Sequence, residues 1–111
     1  MNRTQLTGRL TSDPTLHSTA NGTSVCSLRI AVENMARGET GFIDVAVFGN
    51  PGEAAARVLS KGWLVAVDGR LDQHSWETDE GQKRSAISVI GNVEFLAAPR
   101  SATAEQERAA A

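Results

Sequence analysis

The chain has 111 residues, enough for one hydrophobic core and too few for two, with the apolar and glycine content of an ordinary globular protein. A formal charge of −2 argues against a strongly basic DNA-coating protein, although the distribution of charge says more than its sum. No apolar run reaches membrane-spanning length, the start M-N-R-T-Q is not a signal peptide, and the lone Cys26 has no partner for an internal disulfide, so a cytoplasmic protein is expected.

Segments with period two recur along the chain, separated by glycine-bearing turns. Thr4 to Leu10 alternates around Leu6, Gly8 and Leu10, and Ser12-Asp13-Pro14 breaks it. Asn21-Gly22 is a turn signal ahead of Val25 to Val32, where Cys26, Leu28, Ile30 and Val32 fall on one side and Ser27 and Arg29 on the other. A polar loop is expected over Glu33 to Gly41. Phe42 to Asn50 then reads F-I-D-V-A-V-F-G-N. As a strand it puts Ile43, Val45 and Val47 on one face and Phe42, Asp44, Ala46 and Phe48 on the other.

The aliphatic face is the one to bury, because a carboxylate is seldom buried unpaired. Two phenylalanines are then left about 20 Å apart on the accessible face. From this strand alone the commoner arrangement is packing beneath a loop, a helix or a partner subunit. The other reading is a surface for stacking nucleobases.

Asn50-Pro51 reads as a helix cap followed by proline at the first helical position. Ala54, Ala55, Val58 and Leu59 form an apolar stripe at helical spacing, and Lys61-Gly62 stops it. Leu64 to Trp76 is a long strand with Val65, Val67, Gly69 and Leu71 on one face and Arg70, Asp72, His74 and Trp76 on the other. Asp79-Glu80-Gly81 turns the chain into a last strand, Ser85 to Leu96, carrying Ile87, Val89, Val93 and Phe95. Residues 98–111, ending A-E-Q-E-R-A-A-A, are expected to be a short flexible tail beyond a folded unit of residues 1–97. Three strands, a short helix and two strands is the order of the OB-fold, an all-β, five-stranded Greek-key barrel with a helix between strands three and four. Gly69 suits the bend that a small barrel needs.

Several stretches, in order, resemble the bacterial single-stranded DNA-binding protein family. They are G-R-L-T-S-D-P at Gly8 to Pro14, N-G-T-S-V at Asn21 to Val25, the strand from Phe42 to Asn50, K-G-W-L-V-A-V-D-G-R-L at Lys61 to Leu71 with Trp76 five residues on, and G-Q-K-R at Gly81 to Arg84. The resemblance spans Met1 to about Leu96. It implies that Phe42, Phe48 and Trp76 stack on the bases of single-stranded DNA. Strand parity independently puts all three on outward faces. Phosphate contacts are then expected from Arg29 and Arg70 on the aromatic side and from Arg3, Arg9, Lys61 and Arg84 near strand ends, each also readable as a solvated surface charge. The resemblance further implies self-assembly, as a homotetramer or a homodimer, through the first strand, Asn2 to Leu10, and nucleoid association in replication, recombination or repair.

The chain departs from the family in several places. The family's aromatic after the second strand is missing from Glu33 to Glu39, where Met35 is the nearest substitute. The usually basic approach to Trp76 reads Asp72-Gln73-His74-Ser75. Asp44 sits between the phenylalanines, where it repels phosphate. Asn50 stands where the family often has Lys and is read as a helix cap. The acidic, Phe-terminated tip that recruits other proteins is absent, which fits either a short family form or a truncated chain. Trp63 stands where the family has no required aromatic and is read as covering the helix or a subunit contact before any role on DNA.

Catalysis finds no support. His17 and His74 are far apart, no zinc-ligand or Gly-rich phosphate-loop spacing occurs, and Cys26 alternates with core residues. Glu77, Asp79 and Glu80 read as a solvated hairpin tip rather than a metal site. No cofactor, metal or membrane is expected. The rival reading is an OB-fold interaction subunit resembling primosomal replication-restart protein B, which binds protein partners and only weakly single-stranded DNA.

Overall fold

The computed structural model describes residues 1–34 and 38–99. Six strands and one helix follow one another: β1 (Thr4–Leu10), β2 (Thr15–Ser18), β3 (Ser24–Asn34), β4 (Glu39–Phe48), α1 (Asn50–Val58), β5 (Leu64–Glu77) and β6 (Lys83–Ala97). The strand order is β1-β5-β6-β4-β3-β2, and a further pairing of β1 with β3 at Arg9–Ala31 and Leu10–Ile30 closes the sheet. The ring is therefore β1-β5-β6-β4-β3, with β4 and β6 parallel and every other pair antiparallel. This is the OB-fold barrel, with α1 between its third and fourth strands.

The sixth strand, β2, was not expected. It is four exposed residues hydrogen-bonded along β3, so it has no apolar alternation for a sequence reading to detect. The Asn21-Gly22 turn closes the β2–β3 hairpin: Gly22 adopts φ +81°, and the Thr19 hydroxyl accepts the amide of Thr23. The β5–β6 turn repeats this device, with Gly81 at φ +81° and the Thr78 hydroxyl accepting the amide of Gln82. The expected polar loop over Glu33 to Gly41 is shorter, because Glu33 pairs with Thr40 and Asn34 with Glu39. Met35 lies outside the described residues, as does the tail from residue 100 on.

The core is the inward set of the alternating strands: Leu10, Cys26, Leu28, Ile30, Val45, Val47, Val65, Val67 and Val89, capped by Ala55 of α1 and by Leu59 just after it. Burial pushes the Cys26 thiol up, so it stays protonated and packs as a small apolar group. Asn50 is not the helix cap. The chain leaves β4 through Gly49, which takes the cap position at φ +74°, and Asn50 and Pro51 are already helical. Of the expected helical stripe, Ala55 and Leu59 are buried while Val58 is exposed. Gly52 lets the helix sit directly on the Val47 carbonyl.

Beyond the barrel, β5 and β6 run on together as an arm, from Gln73–Ile87 to Glu77–Lys83. Within the barrel part of this pair Gly69 stands opposite Gly91. A Cβ on Gly91 would strike the Asp68 carbonyl and the Gly69 backbone, and one on Gly69 the Ile90 carbonyl. We predict that Gly91→Ala costs about 1–3 kcal/mol in urea unfolding. Gly41→Ala, whose Cβ finds its nearest atom at 3.8 Å, should leave stability unchanged or raise it. Equal midpoints for Gly91→Ala and the parent chain would contradict this packing.

Candidate nucleic-acid interface

The inward burial of Val45 and Val47 fixes the parity of β4, so Phe42, Asp44, Ala46 and Phe48 face out. Phe42 is 55% exposed and Phe48 42%. The register then assembles an outer face across four strands. Arg29, Asp44, Ser88 and Asp72 form one row, and Ser27, Ala46, Ile90 and Arg70 form the next. On the other side of the acidic row, Phe42 pairs with Ala31 on β3, and on β5 and β6 His74 pairs with Ala86. Trp76, 48% exposed, follows on the arm opposite Arg84. Small side chains (Ser27, Ala46, Ala86, Ser88) floor the space between the aromatics, so the rings stand above the sheet with accessible faces.

The six expected cationic residues fall into three settings. Arg29, Arg70 and Arg84 are on the outer face itself. Arg29 holds its guanidinium 5.4 Å from the centre of the Phe42 ring, and Arg84 donates to Gln82 Oε1 at 3.1 Å. Arg3 adjoins this face at its edge but pairs with Asp68 at 3.0 Å, the one ion pair among the described residues. That pair is exposed on both sides and weakly held. Arg9 and Lys61 lie together at the far end of the barrel. Arg9 donates to the Gly62 carbonyl at 3.0 Å, and the Lys61 amide is held by Asp13 Oδ1 at 2.8 Å, leaving both side chains exposed.

The register also changes the meaning of Asp44. Arg29 is its direct cross-strand neighbour, so a cation stands beside the carboxylate that sequence placed alone between the phenylalanines. Asp72 has no such neighbour in its row, where Ser88 separates it from Asp44. In the sequence His74 reads only as part of the departure from a basic approach to Trp76. It stacks on Trp76, centroids 5.5 Å apart and planes 24° apart. Its spacing of two residues from Trp76 in a strand was the available signal. Trp63 packs against the core and meets Phe95 edge-on at 6.3 Å, closing the barrel end where β6 runs out. Glu77, Asp79 and Glu80 are exposed around the β5–β6 turn. Among the described residues no three His, Cys, Asp or Glu side chains are grouped to hold a metal ion. No helix there is long and apolar enough to cross a membrane.

A closed OB barrel whose outer face carries exposed aromatics between arginines defines a single-strand nucleic-acid-binding module. Comparison with known proteins names the family. The model of the single-strand binding protein family matches residues 1–96. Single-stranded DNA-binding protein 2 of Staphylococcus aureus strain Mu50 is 43% identical over 102 residues, 86% of this chain and 72% of the relative. Single-stranded DNA-binding protein 1 of the same strain is 40% identical over 113 aligned positions, 96% of this chain and 72% of the relative. The single-stranded DNA-binding protein of Clostridium tetani is 38% identical, with 86% and 70% covered. The chain belongs to the single-strand binding protein family.

Proposed function

We propose that the protein binds and protects single-stranded DNA, without catalysing a reaction, by stacking bases on Phe42, Phe48 and Trp76. Arg29, Arg70 and Arg84 contact the phosphates between them, and Arg3, Arg9 and Lys61 extend the path at the edges of the barrel. The observation that carries this reading is the set of three exposed aromatic rings on outward strand positions of the barrel and its arm, interleaved with arginines. Each stacked base contributes about 1–3 kcal/mol with little regard to sequence. Each neutralised phosphate releases counterions, so the cationic part of the affinity falls with salt. Asp44 and Asp72 weaken phosphate contact in the middle of the face, which makes binding weaker than on a face without them and its fall with salt shallower. The setting is a cytoplasmic single strand exposed during replication, recombination or repair.

One such face covers few nucleotides, and linking several raises avidity without new contacts. We infer that copies associate through β1. From Thr4 to Gly8 this strand pairs with β5 on one side, while β3 reaches it only at Arg9 and Leu10. The open edge is a template for a second chain.

Titration with oligo-dT should quench Trp76 emission. Trp76→Ala should weaken binding about five- to 150-fold, the equivalent of one lost stack. Absence of any quench at low salt, or an affinity that does not fall at all as salt rises, would count against this interface. Light scattering should give a mass two or four times 11.8 kDa, and elution as a monomer would sink assembly through β1.

A further inference from the structure

The Trp76 ring has a neighbour. His74 stands two residues earlier on the same face of β5, and the two rings lie nearly parallel with centroids 5.5 Å apart. That is an offset stack within the usual range for paired rings. Both residues are on the arm, where β6 is the strand beside them, and the cross-strand partner of His74 is Ala86, too small to support a ring. Arg84 stands opposite Trp76 and donates to Gln82, so it leaves the indole to His74. Phe42 shows the same arrangement in another chemistry, with the Arg29 guanidinium over its ring. At both places a neighbour within the chain lies against an aromatic that remains about half exposed.

We propose that His74 is a positioning residue for base stacking: it backs one face of Trp76 and leaves the opposite face as the seat for a single nucleobase. This rests on the reading that Trp76 stacks on single-stranded DNA. A tryptophan on an exposed two-stranded arm loses side-chain freedom when it binds, and that loss weakens affinity. His74 imposes the order beforehand. The two rings are already in contact, so a base adds to the column as His74, Trp76, base and does not insert between them. The imidazole acts here through its flat face, and any ring of similar size would serve.

The test is titration of labelled oligo-dT by fluorescence anisotropy, together with acrylamide quenching of Trp76 in a Trp63→Phe background. His74→Ala should weaken binding about two- to tenfold and increase quenching by acrylamide, with an unchanged urea midpoint. His74→Phe should restore both properties, and His74→Lys neither. Adding His74→Ala to Trp76→Ala should change affinity no further. Wild-type affinity in His74→Ala overturns the proposal, as does rescue by Lys but not Phe, which would make His74 a phosphate contact. An undiminished effect of His74→Ala in the Trp76→Ala background overturns it too. If Trp76→Ala itself binds like the parent chain, the stacking reading fails and takes this one with it. If Trp76→Ala weakens binding and His74→Ala does not, this inference alone falls.

Discussion

The burial of Ile43, Val45 and Val47 is the constraint on which the outer face depends. Val45 and Val47 are almost wholly removed from water, and Ile43 packs against the same cluster. A shift of one residue in the register of β4 would turn Phe42, Asp44 and Phe48 into the core and expose three aliphatic side chains. Core packing and surface chemistry are therefore specified by one alternation. The parallel pairing of β4 with β6 carries that parity to the neighbouring strands, where Ser88 and Ile90 align with Asp72 and Arg70 of β5.

Much of this was legible in the sequence because it follows from alternation. The five barrel strands, the helix between the third and fourth, and the outward parity of Phe42, Phe48 and Trp76 all rest on apolar residues at period two or at helical spacing. Features held by backbone geometry or by contacts across strands were not legible. β2 buries nothing and so left no pattern. Asn50 has the chemistry of a cap, yet Gly49 takes the position because the chain must leave β4 with φ +74°. The register that sets Arg29 beside Asp44 and Arg84 beside Trp76 depends on where each hairpin turns, which alternation alone does not fix. Sequence placed Arg84 only near a strand end.

The electrostatic picture changes most between sequence and structure. Read along β4 alone, Asp44 is an isolated negative charge in the middle of the aromatic surface. Read across the sheet, it belongs to a row that opens with Arg29, and the arginines flank that row rather than fill it. Such a face attracts a strand at its borders and holds it by stacking at its centre. Its affinity thus comes largely from a contribution that salt does not screen, with a phosphate contribution that salt does.

The central claim is that bases lie against these three rings. Ultraviolet cross-linking of the full chain to oligo-dT, followed by mass-spectrometric mapping of the linked residues, tests it most directly. The links should fall on Phe42, Phe48 and Trp76. Links confined to β2, α1 or the outer side of β1, with these three residues unmodified, would contradict it.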